Sequence, residues 1–522
     1  MFLRSLGIAL LFASASDAAS PTVTTLAPGG AQRGTTAAVI ASGTFDTWPV
    51  QVWCDTPGVA VKADKVKGKF AVALAPDVPL GVVWLRFHDD GGASALRPFL
   101  VGGLPDVAES EPNDEPKSAQ VVVPPGTVNG VLAKAGDVDG YRVKLTKGQT
   151  LVAALDAHRS LRSPMDAILQ LLSPEGEVLE QNHDARGLDP ELAFTAPADG
   201  IYSLRLFAFP SAPDSSIRHF GSPACVYRLT LTTEEFVDFA TPLAAERDRE
   251  AEPTLHGWNL KAKTAKLGKS ADRIGIANPF RIAREPHPCF DMPPADKALT
   301  PPFTATSRLE KADTASVISV TGTAGKPLAI RLDSATLGLA LAPVLKVLDT
   351  AGKTLLRAEP ASLGGPLEAS FNPPTTGTYK IEVRDLFGGA GPRHVYRLRV
   401  TPALPEVEAK VAADRFTATV GTPLEIPIAL TRKHGHTGEV IAFAEGLPEG
   451  VTAETVILAK PDPGKVMLKL TATKAFAGGP IRLGVMKKGD EASRVGATTV
   501  LADFDRTTGD LWLTAIVPAA KK

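Results

Sequence analysis

A pattern of about 120 residues occurs twice in this chain, and that repetition limits the possible folds more than any single motif. The first copy holds "EPND" at Glu111, "AGDVDGYRVKLTKGQTLVAAL" from Ala135 and "LLSPEGEVL" from Leu171, and closes with "ADGIYSLRL" from Ala198 and "VYRLTL" from Val226. The second holds "EPHP" at Glu285, "KADTASVISVTGTAGKPLAIRL" from Lys311 and "VLDTAGKTL" from Val347, and closes with "TTGTYKIEV" from Thr375 and "VYRLRV" from Val395. Pairing Glu111 with Glu285, Asp137 with Asp313, Gly148 with Gly325, Gly176 with Gly352 and Tyr202 with Tyr379 gives offsets of 174 to 177. The offset falls to 169 at Tyr227 and Tyr396, which places an extra loop at "FPSAPDSSIRHFGSP" in the first copy.

Within each copy the apolar residues alternate. Tyr141, Val143 and Leu145 fall on one face, Lys147-Gly148 turns the chain, and Leu151, Ala153 and Leu155 resume. Short alternating runs divided by Gly and Pro predict antiparallel sheets with one wet face. No capped amphipathic helix of three turns is visible. The expected fold class is therefore all-β, as tandem antiparallel β-sandwiches of jelly-roll or immunoglobulin-like form. The expected organisation is a signal peptide (1–19), an N-terminal immunoglobulin-like module (20–104), the first repeat (105–232), a short connecting β module (233–283), the second repeat (284–402) and a C-terminal immunoglobulin-like module (403–522). In the connecting module "LHGWNL" loosely echoes the start of the N-terminal one.

The signal peptide is read from one arginine, an apolar run from Ser5 to Ala13 and small residues up to Ala19. That run is too short to span a bilayer, and no later segment is long and apolar enough to do so. The expected location is secreted, periplasmic or cell-surface. A net charge of −1 with no basic stripe argues against nucleic acid as a partner. Export permits a disulfide among Cys54, Cys225 and Cys289, Cys225–Cys289 being conceivable, and the spacing leaves the pairing open.

The succession E-x-E-P-N-D, G-D-x-D-x-Y, a hairpin glycine, D-G-x-Y and a closing Y-R-L resembles the bacterial pre-peptidase C-terminal domain. Its relatives include the collagen-binding modules of clostridial collagenases, which are calcium-bearing β-sandwiches. The first copy matches nearly throughout, and the second matches in framework but not in its acidic residues. The resemblance implies one calcium ion, with Glu109, Glu111, Asn113, Asp114, Asp137 and Asp139 as its ligands and Tyr141 beside them to orient or pack.

The residues themselves support that implication. In an extended chain Glu109, Glu111 and Asn113 share a face, with Asp114 folding round at the turn, and Asp137, Asp139 and Tyr141 share a face on a later strand. Five carboxylates and one amide brought together repel strongly unless a hard cation joins them, and calcium takes six to eight oxygens where magnesium demands a small octahedron. In the second copy Ala283, Glu285, His287 and Pro288 are expected where Glu109, Glu111, Asn113 and Asp114 stand. Asp313 is retained and Ala315 replaces Asp139, so one calcium site is expected rather than two.

Catalytic motifs are missing: no H-E-x-x-H, no G-x-S-x-G and no cysteine with a convincing histidine partner. His434 and His436, near Glu439, read as a hairpin turn. Asp166, Asp184 and Asp189 read as turn-fixing residues. Trp48, Trp53 and Trp84 read as packing residues, although outward-facing tryptophans would favour sugar binding. All five tyrosines sit at framework positions, which speaks against collagen binding. The expectation is a non-catalytic adhesion or scaffolding protein that meets an extracellular or cell-surface protein or polysaccharide. The alternatives are a carbohydrate- or peptide-binding accessory protein of an extracellular hydrolase system, and an enzyme of unrecognised type.

Overall fold

The computed structural model describes residues 19–212, 218–362, 364–454, 457–458, 464–504 and 506–518. The expected signal peptide lies almost wholly outside the described residues. Strands take up 54% of the structure and helix 2%, so the chain is all-β. Among the described residues no helix is long and apolar enough to cross a membrane.

The first repeat is a sandwich of two five-stranded sheets. One sheet runs Asp106–Ala108, Gly126–Val131, Val226–Thr232, Thr150–Asp156, Glu191–Thr195, and the other runs Gln120–Val121, Asp139–Leu145, Gly200–Pro210, Met165–Leu172, Val178–Asn182. The period-two residues read from the sequence close the space between them. Tyr141, Val143, Leu145, Leu151, Ala153, Leu155, Tyr202, Leu204 and Leu206 share one buried cluster. The second repeat follows the same strand order, with Leu328–Asp333, Val395–Pro402 and Phe303–Arg308 in one sheet and Ser316–Gly322, Gly377–Asp385 and Pro343–Leu348 in the other.

Duplication extends beyond the two repeats. In the N-terminal module Thr22–Ala27 pairs with Thr36–Thr44 across a bulge between Val23 and Thr25. In residues 233–283 Phe236–Thr241 pairs with Thr254–Trp258 across a bulge between Val237 and Phe239. A parallel pair follows each: Gly30–Gln32 with Arg97–Gly102, and Ala244–Glu246 with Ala283–Glu285. The faint echo in "LHGWNL" is thus part of a shortened copy of the N-terminal module. The molecule repeats a two-module unit. In the second unit the segment Asn259–Lys263 replaces the strands Gln51–Cys54 and Val59–Ala63. The Leu255 N–H to Lys263 carbonyl bond (2.7 Å) stands for that of Ala41 to Gly68 (2.8 Å).

The two ends of the chain meet. Arg86 is fully buried and donates to Asp414 Oδ2 (2.9 Å), to the Ser94 carbonyl (3.1 Å) and to the Asp510 carbonyl (2.9 Å). Trp53 lies edge-on to Trp512 at 5.8 Å, and Trp84 to Phe504 at 5.0 Å. Trp48 packs on Phe45 and Phe70. All three tryptophans therefore pack, Trp53 and Trp84 against the C-terminal module. Cys54, Cys225 and Cys289 are all free thiols, so the conceivable Cys225–Cys289 bridge is not formed: Cys225 is buried in the first repeat's core, and Cys289 begins an outer strand of the second.

Candidate functional site

The six acidic and amide residues read from the sequence converge at one corner of the first repeat. Glu109 follows Asp106–Ala108, whose parallel pairing with Gly126–Val131 fixes where the chain leaves the sheet. Asp139 opens the strand Asp139–Leu145 on the facing sheet. Carboxylate oxygens of Glu109, Glu111 and Asp139 lie within 4.8 Å of one another, and so do those of Glu111, Asp114 and Asp137. Glu111 belongs to both sets and joins them.

The hydrogen bonds show which oxygens are already used. Glu109 Oε2 accepts the Val131 N–H (2.9 Å), and Glu109 Oε1 accepts the Tyr141 hydroxyl (3.1 Å) and the Asn113 Nδ2–H (3.5 Å). Glu111 Oε2 accepts the Asn113 N–H (2.8 Å), and Asp137 Oδ2 accepts the Ala133 N–H. With its amide nitrogen turned to Glu109, Asn113 presents its carbonyl oxygen to the corner. Asn113, Asp137 and Asp139 are each 0% exposed, yet Asn113 Oδ1, Asp137 Oδ1 and Asp139 Oδ1 have no hydrogen-bond donor.

Three buried acceptors without hydrogen-bond donors are costly, because each has lost water and gained no hydrogen bond. All are hard oxygens, and no thiol or imidazole stands among them. That donor set fits a hard divalent cation of flexible coordination such as calcium. The cation in reach is Lys134 Nζ, at 3.6 Å from Asp137 Oδ1 and 3.9 Å from Asp114 Oδ2. Its side chain is 69% exposed, so it screens the corner weakly. Burial, and then the neighbouring Glu109 carboxylate, pushes the Asp139 carboxyl far above the usual carboxylate range, and burial likewise raises Glu111.

Two participants escaped the sequence reading. Tyr227, taken only as framework, places its hydroxyl 2.9 Å from Glu109 Oε1 and within hydrogen-bond reach of Asp139 Oδ2 and the Tyr141 hydroxyl. Gly130 lies opposite Tyr227, where an added Cβ would collide with that hydroxyl and with Glu109 Oε1. Neither has a local signal, since their role arises only when two sheets face each other. Asp189 behaves as a turn-fixing residue, accepting the N–H groups of Ala157, His158 and Arg159 at 2.7–3.1 Å. His434 and Gly435 are both at positive φ (53° and 77°) in the expected turn.

The second copy departs from its expected alignment. Gly130 faces Tyr227 as Ser307 faces Tyr396, and Asp106 pairs beside Thr127 as Cys289 pairs beside Thr304. Met292, not Ala283, therefore takes the place of Glu109. Glu285 and His287 lie upstream, where Glu285 binds Arg399 and approaches His287 at 3.7 Å. On the facing sheet Val143 and Val320 pair with Tyr202 and Tyr379, so Ser316, not Ala315, takes the place of Asp139. The turn bond from Asp137 N–H to the Lys134 carbonyl recurs from Thr314 to Lys311, which moves Asp313 to the place of Gly136. The intervening loop is shorter: Val122 is 13 positions after Glu109, whereas its counterpart Leu299 is 7 positions after Met292. The short loop shifted the true counterparts by several residues, and the chance "EP" at Glu285 disguised the shift. In place of the acidic corner stands a neutral one, in which the Tyr396 hydroxyl donates to Ser316 Oγ (2.7 Å) and Ser316 and Ser307 lie 2.9 Å apart.

No protein-family model matches the chain, and no curated protein matches it. Among solved structures it is similar to the pre-peptidase C-terminal domain of a collagenase from Bacillus anthracis, with 17% identity over 23% of this chain and 100% of that one, at a TM-score of 0.18. It is also similar to the SGBP-B protein of the Bacteroides ovatus mixed-linkage glucan utilization locus (10% identity, 70% and 74% of the two chains, TM-score 0.16). A third likeness is to domains 1–6 of the surface layer protein SbsC (9% identity, 96% and 55%, TM-score 0.17).

Proposed function

We propose that this is an exported, non-catalytic surface or accessory protein whose first repeat is a pre-peptidase C-terminal-like module holding one structural calcium ion. The observation that carries the metal is the set of three fully buried oxygens, on Asn113, Asp137 and Asp139, that no hydrogen-bond donor among the described residues satisfies. Glu111 and Asp114 would complete the ligand set. Glu109, held by Val131 and the two tyrosines, would be the fixed wall against which it closes. Bound calcium supplies positive charge that joins the linker Glu109–Asp114 to the strand Asp139–Leu145.

A cation that binds only the folded chain stabilises it by mass action, about 2.7 kcal/mol at a hundredfold excess over the dissociation constant. Such a module is firm where calcium is abundant and looser where it is scarce, which suits a protein that crosses a membrane before it works. Calorimetric titration of the full chain should give one calcium per molecule, and Asp137→Asn should abolish the heat and the calcium-dependent rise in melting temperature. A wild-type protein that melts identically in calcium and in chelator would reduce the acidic corner to a solvated linker.

A further inference from the structure

Each two-module unit has a cleft where the bulged strand pair meets the repeat, and the two clefts differ. In the first unit it is nearly closed, about 20 Å³ lined by Thr24, Thr25, Leu161 and Ala224. In the second it is a groove of about 1010 Å³ between Thr254–Lys263 and the segment Ala390–His394. Register identifies the substitutions. Thr22 and Thr44, a cross-strand pair, become Phe236 and Trp258, and Thr25 and Ser42 become Phe239 and His256. Ala224 and Cys225, just before Val226, become Arg393 and His394, just before Val395. Small or weakly polar side chains have thus given way to three aromatics, two histidines and an arginine, all but Phe236 lining one opening.

The new side chains form an ordered wall. His256 stacks on Phe239 at 4.4 Å and 11°, with Nε2 2.9 Å from Thr241 Oγ1. Trp258 is half-buried and leans on Phe236 at 5.9 Å. Leu260, Ala340, Ala390 and Pro392 add apolar surface. The single lining carboxylate, Asp238, is neutralised within the protein by Arg186 (3.1 Å) and Arg393 (3.6 Å). Lys261 and Lys263 line the same groove, are exposed, and form no salt bridge among the described residues. The groove therefore carries unspent positive charge beside a flat aromatic face, and its size is that of a ligand site.

We propose that this groove binds an anionic saccharide, an oligomer of sugar rings bearing carboxylates. The apolar face of a ring would lie on Trp258, and the carboxylates would meet Lys261 and Lys263. A flat ring plus a charge matches this wall better than an acidic peptide, which would use the lysines and leave the indole idle. The site is independent of the calcium corner, which lies in the other unit.

The test is titration of the full mature chain, in chelator, with oligogalacturonate, a neutral glucan oligosaccharide and poly-glutamate. Oligogalacturonate should bind and change tryptophan fluorescence, and the neutral glucan should bind at least tenfold more weakly. Trp258→Ala and the double variant Lys261→Ala/Lys263→Ala should each weaken oligogalacturonate at least tenfold, the lysine variant at unchanged melting temperature. The lysine pair, being exposed, tests the site even if Trp258→Ala misfolds. The proposal is overturned by no oligogalacturonate binding at millimolar concentration, by binding that survives the lysine substitutions, or by poly-glutamate binding as tightly as the saccharide.

Discussion

Leu169 faces Leu206 in the first repeat as Leu345 faces Val383 in the second, and Tyr202 and Tyr379 each donate to the carbonyl of the residue four positions earlier. Those shared contacts make the frame. The copies part at one corner, where Glu109, Asp137 and Asp139 in the first correspond to Met292, Thr314 and Ser316 in the second. One corner leaves three buried oxygens without donors, and the other closes on itself through neutral hydroxyls. A sandwich core is thus compatible with either solution, because the acidic and amide side chains stand at its edge and only tyrosine hydroxyls reach them from within it. The inter-module clefts differ too: the same bulged strand pair borders a closed seam in one unit and, with Asn259–Lys263 in place of two strands, an open groove in the other.

The largest expected effects probe the shared frame. Leu169→Ala and Leu345→Ala each remove a fully buried side chain and should each cost about 2–5 kcal/mol by chemical denaturation. A large cost in one copy alone would break the equivalence of the cores. Next in size is the calcium-dependent stabilisation described above, expected only from the first copy. Third, Ser316→Asp places a carboxylate beside Tyr396 and Ser307 without the linker oxygens. It should cost about 1–3 kcal/mol and add no second calcium in a titration. A second bound calcium would show that the linker is dispensable.

A fourth prediction uses pH. The metal-free Asp139 carboxyl is held above its unfolded value, so the fold favours its protonated form. That stability is fully present below the ordinary Asp range and is lost progressively as pH rises towards about 10, by at most about 1.4 kcal/mol per pH unit for one proton. In chelator the first repeat should melt higher at pH 5 than at pH 8, and in calcium the difference should shrink or reverse. Ser316 lacks an ionisable group, so the second repeat has no such contribution at this corner. Smallest is Lys134→Ala, an exposed partner whose loss should cost about 0–1 kcal/mol and leave calcium stoichiometry unchanged in the same titration.

The sequence by itself determined the all-β class, the two repeats and the strand faces, because alternation of apolar side chains is written locally and each strand carries its own copy of it. It also named the six acidic and amide residues that meet at the acidic corner, through the motif they resemble and the shared faces of two extended runs. Tertiary structure alone decided what depends on pairing between distant strands. It set the true counterparts in the second copy, which a shortened loop had displaced past a misleading "EP". It brought Tyr227 to the acidic corner from a strand far along the chain and set it opposite Gly130. It also recognised residues 233–283 as a reduced copy of the N-terminal module. The burial of Arg86 against Asp414 and Asp510 joins residues more than three hundred positions apart, and no local pattern encodes such a contact. Side-chain periodicity fixes which face of a strand is buried, whereas the neighbour that buries it is chosen only when the whole chain has packed.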